Sequence, residues 1–162
     1  MLTKEYKVEE ISYERKEDRR ILEAVLKNWF KNPKILNLVS PSLKYPFNFK
    51  EWLKIYSKIH TRSIILKVDN WIIGHLSIKQ DLKSNRIHLF HLLIDPKHKR
   101  NGYGSKLINK AEEIGNYLKV NLITLNVIRS NKIAIKLYDN LGYKINLEKS
   151  NRRNFCYEKV NY

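Results

Sequence analysis

The spacing of apolar residues along the chain switches repeatedly between a helical and a strand period, and the switches divide it into elements. Residues 5 to 13 read as a first strand. Behind Asp18, placed as an N-cap, Ile21, Leu22, Val25, Leu26 and Trp29 recur at helical spacing. The stretch 31 to 47 holds Pro33, Pro41 and Pro46 and is expected to be irregular; Asn48 then stands where it caps a helix with Phe49, Trp52, Leu53, Tyr56 and Ile59 on its apolar face. From Ser63 the period becomes that of a strand. Residues 63 to 68 and 71 to 79 make a hairpin about Asp69 and Asn70, and a turn at 81 to 85 leads into RIHLFHLLI, 86 to 94, a largely buried strand.

Behind Pro96 a glycine-bearing turn opens a helix with Leu107, Ile108, Ala111, Ile114 and Leu118 on one face, followed by the strand NLITLNV at 121 to 127, which makes one β-α-β unit. Ser130 or Asn131 caps a fourth helix carrying Ile133, Ala134, Leu137, Tyr138 and Leu141, ended by Gly142, where a left-handed residue is wanted. Strands at about 143 to 149 and 154 to 160 close the chain. This order predicts an α+β layout, a mixed sheet with helices on its faces.

Composition narrows the class. With 162 residues, 43% of them apolar, and only 5 Gly and 4 Pro, the chain suits one globular domain over 1 to 162 with a real core. No apolar run approaches the roughly 18 residues of a membrane span, and Lys4, Glu5, Lys7, Glu9 and Glu10 stand where a secretory signal is apolar. Cys156 is the single cysteine, and no Cys/His cluster has zinc spacing, so the expectation is a cytoplasmic protein without a metal. Charge adds the one unusual feature: 32 Lys and Arg against 16 Asp and Glu give a formal +16. Such a field draws anionic partners, either nucleic acid or a polyanionic cofactor. The basic residues are spread without a strong cluster, which favours the cofactor.

Residues 97 to 107, KHKRNGYGSKL, lie between a strand and an amphipathic helix. Gly102 and Gly104 sit where the backbone turns sharply and leaves N–H groups unhindered; the helix start adds its dipole, and Lys97, Lys99, Arg100 and Lys106 add full charges. A pyrophosphate fits such a turn. The Walker spacing is absent, and a Rossmann fingerprint needs a third glycine where Leu107 stands. Taken alone, the same residues also suit a plain solvated turn.

The run LLIDPKHKRNGYGSKLI resembles motif A of the GNAT-type N-acetyltransferase superfamily, with Lys99 where the family carries Arg or Gln, and NKIAIKLYDNLGY at 131 to 143 is similar to that superfamily's second conserved helix. The resemblance implies the GNAT acyltransferase fold, a mostly antiparallel seven-stranded sheet with about four helices, and acetyl-CoA as acyl donor. Lys99, Arg100, Asn101, Gly102, Tyr103, Gly104 and Ser105 would wrap its pyrophosphate. The strand before the turn would splay from its neighbour at a bulge, leaving backbone groups of Leu92, Leu93 and Ile94 to bind pantetheine and polarise the carbonyl. Asn131 would contact the pantetheine arm, and Tyr138 the sulfur, to which it gives a proton. Singly, Asn131 also suits an N-cap and Tyr138 a core aromatic.

The positions that match the family's carboxylates are Phe90 and Asn126, and neither takes a proton. His88 shares strand parity with Phe90, whereas His91 faces the other way unless the bulge shifts it, so the base is His88 or a relayed water. The acceptor implied is a primary amine: a small molecule, a peptide or protein N-terminus, or an RNA-linked amine such as that of aminoacyl-tRNA. The +16 charge disfavours polycationic acceptors. No membrane partner is expected, and the protein is a monomer or homodimer. The competing class is a non-catalytic CoA-binding module or a basic nucleic-acid-binding module.

Overall fold

A computed structural model describes residues 5–58 and 60–161. Strand β1 (Tyr6–Ile11) is followed by helices α1 (Lys16–Trp29), α2 (Pro33–Val39) and α3 (Phe49–Tyr56), then by strands β2 (Thr61–Val68), β3 (Trp71–Asp81) and β4 (Arg86–Ile94). Helix α4 (Tyr103–Tyr117), strand β5 (Leu122–Ile128), helix α5 (Lys132–Asn140) and strands β6 (Lys144–Asn146) and β7 (Asn154–Val160) complete the order. All seven strands join one sheet in the order β1-β2-β3-β4-β5-β7-β6. Every pair is antiparallel except β4 with β5. That pair is parallel because α4 carries the chain back to the end from which β4 set out. The architecture is the α+β fold expected, a mixed and mostly antiparallel sheet covered on both faces.

Each face has its own core. Against one face, Leu22, Leu26 and Trp29 of α1, Leu36 of α2 and Phe49, Trp52 and Tyr56 of α3 pack on Ile11 and Ile65. Against the other, Leu107, Ile108, Ala111 and Ile114 of α4 and Tyr138 of α5 pack on Leu66, Leu76, Ile78, Leu89, Ile123 and Leu125. Strand alternation sends successive side chains into one core and then the other. The hairpin between β2 and β3 turns on Asp69 and Asn70, both at positive φ, 49° and 65°, which short polar side chains tolerate.

Four details differ from the sequence reading. The 31 to 47 stretch contains helix α2: the Asn32 side chain accepts the Lys34 N–H at 3.0 Å and Pro33 occupies the first turn, where its missing N–H costs nothing. Helix α1 starts earlier than expected, with Arg15 as its N-cap, so Asp18 lies in the first turn. There its carboxylate accepts the Ser12 N–H at 3.0 Å and pairs with Arg15 at 3.0 Å, near the positive end of the helix dipole. Strand β6 is only three residues long, because the Ser150 hydroxyl donates to the Asn146 carbonyl at 2.7 Å and accepts the Cys156 N–H at 2.9 Å. Ile133, expected on the apolar face of α5, is turned out to solvent, 78% exposed. Ile59, expected on the apolar face of α3, lies outside the described residues.

Candidate active site

Strands β4 and β5 pair over only four residues each, Arg86 to Leu89 with Leu122 to Leu125. Both run on, β4 to Ile94 and β5 to Ile128, and β7 accompanies β5 all the way to the Ile128–Asn154 pair. A wedge therefore opens between β4 and β5 above Leu89 and Leu125. Along it, Phe90 to Ile94 have no strand on the β5 side, so backbone groups aimed that way are left for another partner. Leu92, Leu93 and Ile94, expected to bind pantetheine, lie along this free edge. Leu92 and Ile94 touch the α4/α5 core, and Leu93 the α1–α3 core.

The free edge is shaped by a bulge. His75 pairs with Leu93 and Ser77 with Phe90, so two residues of β4, His91 and Leu92, stand opposite Leu76 alone. His91 takes φ 54°, a left-handed conformation that costs a non-glycine residue about 1–2 kcal/mol. Two hydrogen bonds from β3 offset it, each contributing about 1 kcal/mol: His75 Nδ1–H donates to the His91 carbonyl at 3.0 Å, and Ser77 Oγ lies 3.1 Å from His91 Nδ1. The bulge turns His91 onto the face of Phe90, where its ring centroid is 4.6 Å from that of Trp52, 4.3 Å from Tyr56 and 4.5 Å from Phe90. His91 therefore does not face away from Phe90, as simple alternation suggests.

Burial holds all three strand histidines neutral. It lowers His75 to about 4, against the opposing pull of its bond to the His91 carbonyl. Burial also lowers His88 to about 4, helped by the positive charges of Arg86 and Lys79. His91 is pushed well below the ordinary histidine range by burial and then by His75. His75 Nε2 is buried with no hydrogen-bond partner among the described residues. His88 sits one residue below the opening of the wedge, stacked on Phe90 at 6.2 Å, with Nδ1 2.8 Å from Thr124 Oγ1 across the β4–β5 pair.

Above the wedge, Asp95 starts a tight 3-10 turn, Pro96–His98: its carboxylate accepts the Lys97 N–H at 2.9 Å and the Trp29 Nε1–H at 3.2 Å, tying the turn to the end of α1. Asn101 donates its side-chain amide to the carbonyls of His98 at 3.0 Å and Lys99 at 3.3 Å, fixing the loop. Arg100 at φ 66° and Gly102 at φ 76° then bend the chain into α4, with Gly102 as the N-cap. The Lys106 N–H bonds to the Gly102 carbonyl at 3.3 Å, so the amides of Tyr103, Gly104 and Ser105 precede the intrahelical ladder. No atom lies within 4 Å of where a Gly102 Cβ would stand, and a Gly104 Cβ would come 3.2 Å from the Leu137 side chain. One glycine thus serves an open turn, and the other the close approach of α4 to α5. Lys97, Lys99, Arg100 and Lys106 are exposed. Among the described residues none of them pairs with a carboxylate.

On α5 the Asn131 side-chain oxygen accepts the Ala134 N–H at 3.2 Å, so this residue is an N-cap, with its amide NH₂ still available. Tyr138 is buried among Tyr143 and Tyr157, ring centroids 6.1 and 6.0 Å away, and burial pushes its hydroxyl up to about 12. Cys156 is buried on β7 and its thiol is raised, first by burial and then by Glu158. Among the described residues no group of three or more His, Cys, Asp or Glu could hold a metal ion, and no helix is long and apolar enough to cross a membrane.

The features that the sequence reading missed are His75, Ser77, Asp95 and Trp29. A polar pair two apart on β3, both destined for one face, and the Asp-Pro pair that opens the turn were the available signals.

The profile of the acetyltransferase (GNAT) family matches residues 24–143 of this chain. The chain belongs to that family. It is 31% identical over 87 residues to the L-amino acid N-acetyltransferase AaaT of Escherichia coli, a match covering 52% of this chain and 54% of AaaT. It is 26% identical over 130 residues to human N-alpha-acetyltransferase 30, covering 78% of this chain and 36% of that protein. The chain thus matches about half or less of these relatives' length. Among solved GNAT-fold structures, the PaiA N-acetyltransferase of Thermoplasma acidophilum, in complex with coenzyme A, superposes with a TM-score of 0.70 at 17% identity, covering 96% of this chain and 99% of that one.

Proposed function

We propose that the chain transfers an acetyl group from acetyl-CoA to the α-amino group of a small molecule or peptide. The observation that carries this reading is the wedge above Leu89 and Leu125, which opens beside the uncommitted amides of α4 and their unpaired cations. These residues fit coenzyme A: the amides from Tyr103 to Ser105 and the charges of Lys99 and Arg100 would hold its diphosphate, with Asn101 fixing the loop. The Leu92 to Ile94 edge would take the amide-bearing pantetheine arm as a neighbouring strand takes a ladder, and the Asn131 NH₂ would add a donor from α5.

When bound, acetyl-CoA supplies a thioester carbonyl that a neutral amine attacks through a tetrahedral oxyanion. A backbone N–H of the Leu92 to Ile94 edge that points into the wedge would donate to the developing oxygen. Tyr138 would give its proton to the leaving sulfur: with its titration pushed up to about 12 it stays protonated at neutral pH and is a donor throughout. For the proton shed by the amine, His88 offers a neutral imidazole whose Nδ1 is engaged by Thr124. Its low basicity, about 4, suits a relay that passes the proton to water and does not store it. Replacement of His88 by Ala that leaves the whole pH–rate profile unchanged removes it from this role.

An α-amino acceptor is supported by its reference pKa near about 8, which leaves more neutral nucleophile than a lysine near about 10.4. The names of both relatives, an L-amino acid N-acetyltransferase and an N-alpha-acetyltransferase, point to the same acceptor chemistry. The +16 charge further favours acceptors that are neutral or anionic outside the amine. The test is free-thiol release from acetyl-CoA with a panel of amino acids, N-terminal peptides, polyamines and aminoacyl-RNA. Turnover above background hydrolysis on α-amines, and little on polyamines, is the expected result. Thermal stabilisation by coenzyme A with no turnover on any amine establishes a CoA-binding module instead.

A further inference from the structure

Acetyl transfer in the wedge would depend on the free edge of β4, and the shape of that edge is set by residues outside it. Left to itself, His91 has no reason to adopt φ 54°, since a residue with a Cβ prefers negative φ and here no glycine is present to make the bend free. What holds it lies on β3. His75 and Ser77 stand two residues apart on the face shared with Trp52, and they grip the same residue at two points, the His91 carbonyl at 3.0 Å and the His91 ring nitrogen at 3.1 Å. Both gripping residues are fully buried, with His75 1% and Ser77 0% exposed, so water does not replace either bond readily.

The grip on the carbonyl has a directional consequence. A trans peptide is planar, and its N–H points opposite to its C=O. Because the carbonyl of the His91–Leu92 peptide is held by the His75 imidazole, the Leu92 N–H on the same plane is turned away from that ring, on a stretch of β4 that has no β3 partner at Leu92 and no β5 partner beyond Leu89. Releasing the carbonyl frees that plane to rotate, and an ordinary ladder pairing would turn the N–H elsewhere.

We propose that His75 and Ser77 are positioning residues for acyl transfer: by gripping the carbonyl and the imidazole of His91 they hold the β4 bulge in the shape that presents the Leu92 N–H to the cleft between β4 and β5. The inference rests on the reading of that cleft as the acyl-transfer site. Neither residue touches the reacting atoms. The imidazole of His75 works as a fixed donor: its Nδ1–H is committed to the carbonyl, and Nε2 is buried without a partner. The rings of Trp52, Tyr56 and Phe90 around His91 exclude the alternative rotamers that would break the second grip.

The experiment compares three variants in the full chain. His75→Leu removes the donor; His75→Asn replaces Nδ1–H with a side-chain N–H at nearly the same place; Ser77→Ala deletes a single hydroxyl and perturbs packing least. Free-thiol release with the best amine of the panel is expected to fall roughly tenfold or more in kcat for His75→Leu, the scale of a misplaced donor, with the KM for acetyl-CoA within about threefold. Ser77→Ala falls less, and His75→Asn recovers most of the loss. Equal kcat in His75→Leu and wild type, or equal losses in the Leu and Asn variants, overturns the proposal. A second readout needs no turnover: backbone chemical shifts and couplings of His91 report the sign of φ. Positive φ is expected in wild type and His75→Asn, and its loss in His75→Leu; retention of positive φ in His75→Leu also overturns the proposal. Should wild-type protein turn over no amine, the acetyl-transfer reading fails, while the φ measurement still decides whether the grip exists.

Discussion

Lowering the pH from 7.5 to 5 is expected to destabilise the fold through its buried histidines. In the unfolded chain a histidine titrates near about 6.5, whereas burial lowers both His75 and His88 to about 4 in the fold. A depressed histidine is neutral in the native state, so the unfolded state binds more protons and stability falls as the pH falls between these two values. The contribution is fully present above about 6.5, declines as pH drops, and levels off below about 4. At pH 5, where the unfolded imidazole is almost wholly charged and the native one almost wholly neutral, the linkage is about 2 kcal/mol for a fully buried group. His88 keeps some contact with solvent and contributes less, so these two give about 3 kcal/mol, a large part of a typical stability of about 5–15 kcal/mol, and His91, lowered further by its burial, adds to the loss in the same direction. Urea unfolding at pH 7.5, 6 and 5 measures it: with a slope of about 2 kcal/mol per molar, the midpoint moves down by about 1.5 M. Glu17 and Asp81, lowered by their hydrogen bonds to Arg20 and Ser84, act below the ordinary carboxylate range and leave this window untouched. In His75→Asn the pH-dependent part shrinks by about 2 kcal/mol, because the amide donates to the His91 carbonyl and does not titrate. A midpoint that stays constant from pH 7.5 to 5, or an unchanged slope in His75→Asn, refutes the reasoning.

Three further outcomes are expected. Gly102→Ala meets no neighbour within 4 Å, so its cost is the left-handed backbone alone, about 1 kcal/mol of stability by thermal or urea unfolding, together with a raised KM for acetyl-CoA. Tyr138→Phe lowers kcat on the order of a hundredfold while acetyl-CoA affinity by titration stays within about threefold; unchanged turnover removes the tyrosine from the reaction. Cys156→Ser leaves turnover within about twofold of wild type, and in the native protein the Cys156 thiol reacts slowly with a disulfide reagent, because it is buried and its pKa is raised.

The order and type of the seven strands were legible because each is bounded by a change of period or a turn residue: Asp69 and Asn70 between β2 and β3, Pro96 after β4, Gly142 before β6. The glycine turn before α4 was legible for a related reason, since only glycine suits Gly102 at φ 76° without strain. Helix α2 was hidden by its own starting signal. Pro33 reads as a breaker until Asn32 is recognised as a cap and Ile35, Leu36 and Val39 as a helical stripe. The face of His91 was legible only as conditional on a bulge, because alternation assigns a face only while the register is unbroken, and one extra residue reverses it. Asn131 shows how two readings of one residue coexist: its side-chain oxygen caps α5 while its NH₂ remains uncommitted.

The buried polar residues of the described chain are Ser40, Ser63, His75, Ser77, His91 and Thr124, and all six lie on the α1–α3 side of the sheet. Ser40 bonds Tyr56 at 3.0 Å, Ser63 bonds Tyr13, whose hydroxyl also accepts from Trp52 Nε1 at 3.0 Å, and Thr124 bonds His88. A core built for stability alone would not concentrate polar groups on one face, since each costs desolvation that only a well-placed partner offsets. Nor would it place a left-handed histidine and an orphaned His75 Nε2 there. Breaches of local rules gather where a fold is shaped for something other than packing. Here the left-handed His91 and the orphaned His75 Nε2 lie on β4 and its neighbour β3, beside the wedge and on the face opposite the apolar core of α4 and α5. The amine acceptor, which must bring a polar, neutral nucleophile to that edge, is therefore expected to approach over the α1–α3 face, with the donor expected against the helix start of α4 and the cap of α5 on the other side.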